Sequence, residues 1–228
     1  MLQFTNVSKT FSNGYLVLSA VNFSIAVGEW VLLTGPSGSG KTTIFKLLLR
    51  LLSPSSGNIS IKQRNIAHLT KKEIPYLRRY IGMVSQNPLL LPHETIFENV
   101  AIPLIVAGYC SEYIKIRVTA ALKKVGLLNK SHVLALDLSS GEQKRAEVAR
   151  AIVTTPQILL VDEPTANVDA TTAIEMLDLF KTLHRLGMTV IIATHEPNLL
   201  NGQQTKTLII HSGKILQGDH HVVESFIS

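Results

Sequence analysis

A short stretch near the start of the chain has the residue types and the spacing that hold a phosphate group. It reads, in order, Gly35, Pro36, Ser37, Gly38, Ser39, Gly40, Lys41 and Thr42, which is the pattern G-x-x-x-x-G-K-T. The glycines let successive backbone N–H groups turn inward around a phosphate, Lys41 supplies a point charge, and the hydroxyl of Thr42 can bind Mg²⁺. The pattern therefore predicts a site for the phosphates of a nucleotide and for a magnesium ion.

The neighbours of this loop support the prediction. A strand-like run at residues 29–34 precedes it, and a helix-like run at residues 44–52 follows it. A helix that begins after the loop would point its positive dipole end at the phosphate. A Gly/Ser-rich turn without a ligand is the alternative interpretation. Such a turn, however, does not require a strand before it and a helix after it.

A second pattern supplies carboxylates. The apolar run at residues 158–161 is followed directly by Asp162 and Glu163, so a strand would carry two acids to the edge of a sheet. Asp162 would hold Mg²⁺ through its water shell, and Glu163 would orient and polarise the water that attacks the γ-phosphate. Paired acids after a strand also occur in ordinary turns. The phosphate loop in the same chain favours the metal-binding and catalytic roles.

Two further polar residues follow strand-like runs. Gln86 comes after residues 81–85 and is expected to contact Mg²⁺ or the attacking water; His195 comes after residues 189–194. In open α/β sheets, ligands bind at the carboxyl ends of the strands. Gln86 and His195 are therefore candidate catalytic residues beside Glu163, with a purely structural histidine as the alternative for His195.

Apolar runs that alternate with helix-like segments predict a mostly parallel sheet with helices packed on it. These runs are at residues 31–34, 81–85, 158–161, 190–194 and 207–210. Shorter alternating strands in residues 2–27 and 57–62 predict an antiparallel β patch. In residues 87–155, the strand signal is replaced by helical patterns that start at Thr95, Ser111 and Ser139.

These patterns predict a single domain over residues 1–228. Its nucleotide-binding core, with the antiparallel patch, would comprise residues 1–86 and 156–218. A helical subdomain would comprise residues 87–155, and a tail would comprise residues 219–228.

The composition sets limits on the function. The single cysteine, Cys110, cannot form an internal disulfide. No apolar run is long enough to cross a bilayer, and the first residues lack the features of a secretory signal, so we expect the chain in the cytoplasm. The net charge of +6 is typical of solvated helix faces or of a protein beside an anionic inner leaflet. Aromatic residues do not interleave with the basic ones, so no nucleic-acid partner is expected.

Residues 138–145, L-S-S-G-E-Q-K-R, resemble the signature motif of ABC-type ATPases. The other motifs of that family occur in the family's order: the phosphate loop, Gln86, the signature, Asp162-Glu163, Asn167-Val168-Asp169 and His195. The resemblance implies a P-loop NTPase of the ABC ATPase type, which hydrolyses ATP to ADP and phosphate and uses ATP and Mg²⁺. It also implies that Phe11 stacks on adenine, with a core aromatic as the alternative.

The resemblance further implies a homodimer that holds ATP between its copies. Ser139 and Gly141 of one copy would cap the ATP that residues 38–43, including Thr43, hold in the other copy, and Asp169 would add a further contact. Ser140 replaces the first glycine of the family's motif. Its side chain either hinders the approach to phosphate across the dimer or points away from it. Ala166 stands where relatives often have glycine.

Within the family, four stretches resemble the ATPases of bacterial cell division: residues 69–83, 89–93, 99–108 and 124–128. This implies a peripheral protein on the cytoplasmic face of the inner membrane. It would bind a membrane protein, act in septation and control cell-wall hydrolases. Transporter and lipoprotein-release ATPases share much of the pattern and are the alternative. Apolar residues around 89–92 and 102–104 are the expected partner surface.

Overall fold

The computed structural model describes residues 1–166, 168–195 and 206–218. The strands and α-helices are as follows, in chain order: β1 (Leu2–Thr10), β2 (Leu16–Ile25), β3 (Trp30–Thr34), α1 (Lys41–Leu48), β4 (Ser56–Ile61), β5 (Arg64–Asn65), α2 (Ile74–Tyr80), β6 (Ile81–Val84), α3 (Ile96–Val106), α4 (Ser111–Lys124), α5 (Ser140–Ile152), β7 (Ile158–Asp162), α6 (Ala170–Arg185), β8 (Thr189–Thr194), β9 (Lys206–His211) and β10 (Lys214–Gly218). The chain forms two compact units, one from residues 1–78 and 187–228 and the other from residues 79–186.

The first unit contains the antiparallel patch. Its strand order is β2-β1-β4-β5. Along β1, Leu2 and Phe4 are buried while Gln3 and Thr5 are exposed, because successive side chains of a strand point to opposite faces. A register shift between Phe4 and Val7 interrupts this alternation, and Val7 is buried as well. Phe4 pairs with Phe23 of β2, and the two rings stack with their centres 4.3 Å apart. The predicted antiparallel patch is thus confirmed.

The first unit also contains a mostly parallel group of strands, in the order β10-β9-β3-β8. β3 pairs in parallel with β8 on one side and with β9 on the other. Every residue of β3 is buried, as expected for an apolar strand between two neighbours. β10 pairs antiparallel with β9. The register places Thr34 beside Thr194, so the residues after β3 and β8 lie at one sheet edge.

The second unit pairs β6 with β7 in parallel, and Val84 lies beside Val161. Helices α3, α4 and α5 contact one another, and each contributes a fully buried valine: Val100, Val118 and Val148. The predicted helical pattern of residues 87–155 lies within this unit. The proposed subdomain limits at residues 87 and 155 stay a prediction.

Two of the predicted helix starts are capping residues. Thr95 and Ser139 precede α3 and α5, and each side chain accepts a hydrogen bond from the backbone N–H three residues later. The helix after the phosphate loop, by contrast, occupies residues 41–48 instead of the predicted 44–52, and Arg50 beyond it has a positive φ. The helix begins at Lys41, within the phosphate loop, and Gly40 is its N-cap. No helix within the described ranges is long and apolar enough to cross a membrane.

Candidate nucleotide site

The phosphate loop joins β3 to α1, and two of its glycines are required by close neighbours. Gly35 has φ 147°, and a β-carbon there would lie 2.2 Å from the backbone oxygen of Ile210. Gly40 has φ 111°, and its β-carbon would lie 2.9 Å from Cγ1 of Val17. Side chains at these positions would displace backbone or packed atoms. Glycine is therefore needed at these two positions for the loop to pack against its neighbours, whether or not a ligand is bound.

The polar groups of the loop suit an anion. Nζ of Lys41 lies 2.7 Å from the carbonyl oxygen of Gly35 and 3.1 Å from that of Pro36. Oγ of Ser39 is buried and has no hydrogen-bond partner within the described part of the chain. Pro36, Ser37 and Gly38 are exposed. A buried hydroxyl and a lysine beside a helix N-terminus fit the phosphates of a nucleotide.

Thr42 and Thr43 continue from this loop into α1. Thr42 is exposed and Thr43 is half-buried. Their positions at the first turn of the helix suit hydroxyl contacts to Mg²⁺ and phosphate. The roles assigned to them from the sequence stay predictions.

The first unit places two other predicted site residues. Phe11 lies in the turn after β1, where its N–H donates to the Tyr15 carbonyl oxygen, and Nζ of Lys9 lies 5.5 Å from the centre of its ring. His195 is exposed and directly follows β8. Because β3 and β8 are parallel neighbours, His195 and Gly35 follow strand ends at the same edge. Stacking on adenine and catalysis by the histidine stay predictions.

In the second unit, the two predicted acids end β7 in a sharp turn. Asp162 is 5% exposed and Glu163 is 8% exposed. Glu163 has φ 46°, a left-handed conformation that is uncommon for residues other than glycine and is often found at functional sites. The N–H of Ala166 donates to the Glu163 carbonyl oxygen at 3.2 Å. The turn thus holds two nearly buried carboxylates at a strand end.

Gln86 lies at the same edge of this unit as the acids. It is exposed and comes two residues after β6. The pairing of Val84 with Val161 places Gln86 and Asp162 after neighbouring parallel strand ends. The roles predicted for Gln86 and Asp162 at Mg²⁺ and at the attacking water stay predictions.

The signature motif forms the start of α5. Ser139 is the N-cap: its Oγ accepts from the N–H of Glu142 at 3.3 Å, while Oε2 of Glu142 accepts from the N–H of Ser139 at 3.1 Å. Nζ of Lys130 lies 2.5 Å from Oε1 of Glu142. The hydrogen bond from Lys130 and those from Ser139 lower the pKa of Glu142. Ser140 is exposed at the first residue of the helix.

Gly141 and Asp169 come together at the starts of α5 and α6. A β-carbon on Gly141 would lie 2.9 Å from Cγ2 of Thr172. Asp169 is the N-cap of α6: Oδ1 accepts from the N–H of Thr172 at 2.9 Å and Oδ2 accepts from Oγ1 of Thr172 at 2.6 Å. These hydrogen bonds lower the pKa of Asp169. Two helix N-termini, both able to attract an anion, therefore meet at Thr172.

Asn167 and the residues after His195 up to residue 205 lie outside the described residues. Sequence reasoning missed Thr172 and three charged residues on α5, namely Lys144 and Glu147, which are buried, and Arg150, which is partly buried. The only signal for that group was three charges at a spacing of three residues, which is equally common on solvated helix faces.

Known proteins resemble this chain over nearly all of its length. A family model described as ABC transporter matches residues 18–166. The chain is 43% identical over 221 residues to the cell division ATP-binding protein FtsE of Escherichia coli K12, covering 97% of this chain and 100% of that protein. It is 44% identical over 214 residues to FtsE of Haemophilus influenzae, covering 93% of this chain and 98% of that protein.

Solved structures of ATP-binding cassettes share the fold of this chain. A dimeric structure of the ATP-binding cassette MJ0796, in a post-hydrolysis state with ADP and Pi, superposes with a TM-score of 0.87 at 31% identity and covers 96% of this chain and 98% of that chain. The predicted ABC ATPase fold is confirmed. The chain therefore belongs to the ABC family of ATPases, and its relatives in that family include cell division ATP-binding proteins named FtsE.

Proposed function

We propose that this ATPase works in bacterial cell division as a homodimer with Mg·ATP bound between its copies, and that it drives a membrane partner resembling FtsX. The complex would lie on the cytoplasmic face of the inner membrane and control cell-wall hydrolases during septation. The observation that carries the ATPase activity is the turn after β7, which holds Asp162 and the nearly buried Glu163 at a strand end. A dimeric relative solved with ADP and Pi supports hydrolysis between two copies.

The residues of the first unit would bind the nucleotide. Lys41 and the N–H groups of the loop would hold the β- and γ-phosphates, and Thr42 would contribute a hydroxyl to the metal. Bound Mg²⁺ would supply positive charge against the phosphates of ATP. His195 would contact the γ-phosphate, and Phe11 would stack on the adenine ring.

The residues of the second unit would carry out the proton transfer. Glu163 would accept a proton from water as the water oxygen bonds to the γ-phosphorus and ADP leaves with the electrons of the broken P–O bond. Asp162 and Gln86 would bind the water shell of the metal. Both acids are nearly buried. Electrostatic interactions of their carboxylates are stronger in a site that contains little water.

The starts of α5 and α6 would complete the site of the second copy. Ser139 and Asp169 are the N-caps of these two helices, and both residues are exposed. The γ-phosphate of an ATP bound to the partner copy would add negative charge to these positive dipole ends. ATP would then stabilise the dimer, and hydrolysis would release it.

Substitution of the base tests the ATPase assignment. Glu163→Gln is expected to lower turnover by about 10² to 10⁴, because a positioned base contributes about that much, while ATP binding is retained. The matched control is Glu175→Gln, which neutralises an exposed acid paired with Arg145 and is expected to leave turnover unchanged. Normal turnover in Glu163→Gln would contradict the assignment.

The partner surface follows Gln86 in the second unit. Leu89 is 68% exposed and Leu91 is 49% exposed, whereas Leu104, which the sequence placed in the same set, is buried. Exposed leucines beside the Gln86 loop suit a cytoplasmic helix of a membrane protein. Such a contact would link the partner to the residue expected at the metal.

Co-purification from membranes tests this partner. We expect Leu89→Asp to abolish recovery of an FtsX-like protein while ATP binding persists. Leu186→Asp, a change at another exposed leucine, should have no effect. Depletion should block septation. Normal septation together with blocked export would favour the alternative, an ABC transporter or lipoprotein-release ATPase, which the match to a family described as ABC transporter also admits.

A further inference from the structure

Helix α5 carries two buried charged side chains and a third that is partly buried. Lys144 is 3% exposed and Glu147 is 1% exposed, and the side chain of Arg150 is 19% exposed. Their spacing of three residues places them along one side of the helix. A buried charge costs free energy unless it is paired or hydrogen-bonded. The contacts of these three side chains therefore indicate their role.

Lys144 holds the turn that carries Glu163. Its Nζ lies 2.7 Å from the carbonyl oxygen of Ala166, 3.2 Å from that of Pro164 and 3.5 Å from that of Glu163. An ammonium group has three donors and no acceptor, which matches three carbonyl oxygens. Burial lowers the pKa of Lys144, while the charges of Glu147 and Glu163 raise it.

Glu147 and Arg150 hold the loop that carries Gln86. Burial raises the pKa of Glu147, while hydrogen bonding from Ser85, the charge of Arg150 and hydrogen bonding from Leu89 lower it. Oε2 of Glu147 is buried and has no hydrogen-bond partner among the described residues. Nη1 of Arg150 donates to the Leu89 carbonyl oxygen at 2.6 Å, and Nη2 lies 3.7 Å from Oε1 of Glu147. In sequence, Gln86 lies between Ser85 and Leu89, the two residues that Glu147 and Arg150 contact.

One helix therefore contacts both catalytic loops and begins at Ser139. We propose that Lys144, Glu147 and Arg150 are positioning residues that fasten the Glu163 turn and the Gln86 loop to α5, so that both loops move with the helix of the signature motif. This proposal rests on the proposed function, since it assigns positioning roles for ATP hydrolysis. It explains how contact at the start of α5 would be transmitted to the catalytic groups.

Separate variants test the contacts of Lys144 with the Glu163 turn and the contacts of Glu147 and Arg150 with the Gln86 loop. Lys144→Met removes the ammonium group and keeps the apolar stem, while Lys144→Gln keeps an amide that donates to carbonyl oxygens. Glu147→Met with Arg150→Met removes together both charges that contact the Gln86 loop. Paired replacement of charges by apolar residues of similar size often leaves stability unchanged. Lys181→Met is the matched control, since Nζ of Lys181 is 3.3 Å from Oδ1 of Asp178 in an exposed ion pair.

We expect kcat to fall by about 10- to 100-fold in Lys144→Met and in the double variant, because small misplacement of catalytic groups costs about that much. The Kd for ATP should stay within about threefold. Lys144→Gln should lie between Lys144→Met and the wild type. Amide hydrogen exchange without nucleotide should accelerate at residues 163–166 in the first variant and at residues 85–89 in the second. The Lys181→Met control should match the wild type in every measurement.

Two outcomes overturn the proposal. One is unchanged kcat in a folded variant; the other is a loss of ATP binding and of exchange protection throughout the second unit, which would show a purely structural role. If Lys144→Met does not fold, the double variant decides. The exchange measurement does not depend on hydrolysis, so it distinguishes failure of this proposal from failure of the ATPase assignment, which normal turnover in Glu163→Gln would show.

Discussion

Gly141 of α5 lies directly against Thr172 of α6, with room for a hydrogen atom but not for a methyl group. A β-carbon on Gly141 would approach Cγ2 of Thr172 to 2.9 Å and Oγ1 to 3.3 Å. Thr172 cannot rotate freely, because its Oγ1 is hydrogen-bonded to Oδ2 of Asp169 at 2.6 Å. The second glycine of the signature motif thus has a packing role within one copy of the chain.

Gly141→Ala is therefore expected to destabilise the protein by about 1 to 3 kcal/mol, as overpacking of a close contact does, despite the higher helix propensity of alanine. Urea unfolding measures this change. Thr172→Ser removes the methyl group nearest to the new β-carbon, so Gly141→Ala combined with Thr172→Ser should recover most of the loss. If the two losses simply add, the contact is not the cause.

The N-caps of α3 and α5 offer a matched comparison. Ser139 and Thr95 both form capping boxes, with Glu142 and Glu98 respectively. Ser139→Ala and Thr95→Ala should each lower the free energy of unfolding by about 1 kcal/mol. Only Ser139→Ala should also lower ATP-dependent dimer formation, measured by light scattering. Equal effects on dimer formation would argue against an anion site at the start of α5.

The path of the phosphate loop predicts a strong effect at Gly35. In Gly35→Ala the new β-carbon would lie 2.2 Å from the Ile210 carbonyl oxygen, so the backbone must shift and ATP binding should be lost. Gly28→Ala is the control: Gly28 also has a positive φ, at 72°, but no atom lies within 4 Å of its added β-carbon. It should cost only the backbone strain of about 1 to 2 kcal/mol and keep ATP binding. Titration with a fluorescent nucleotide distinguishes the two variants.

The ion pair at the start of α5 predicts a dependence of stability on pH. The hydrogen bond from Lys130, followed in effect by those from Ser139, lowers the pKa of Glu142 below its ordinary value of 4.5. A lowered folded pKa means that the stabilisation is fully present above pH 4.5 and is lost as the pH falls through the folded pKa. Urea midpoints of the wild type and of Glu142→Gln should differ at pH 7 and converge as the pH falls below 4.5. A constant difference would exclude this linkage.

Predictions from local spacing succeeded where the relevant hydrogen bonds are also local. Thr95 and Ser139 could be placed at helix starts because a capping box involves residues three apart in sequence. The beginning of α1 at Lys41 was missed, because the apolar periodicity becomes visible only from Ile44 onward. β10 was also missed, because Lys214, Leu216 and Gln217 are exposed and Ile215 is half-buried, so the segment lacks the apolar alternation that predicts a strand.

The chemistry available to this protein could be predicted from residues that are neighbours along the chain: a glycine-rich loop with Lys41, an acidic pair at Asp162 and Glu163, and a signature motif at Ser139. The burial of Lys144 against three carbonyl oxygens and the lack of space for a side chain at Gly141 could not, because burial and close packing depend on residues that are distant in sequence. The sequence shows that Lys144 is charged, but it does not show whether water or carbonyl oxygens surround the charge.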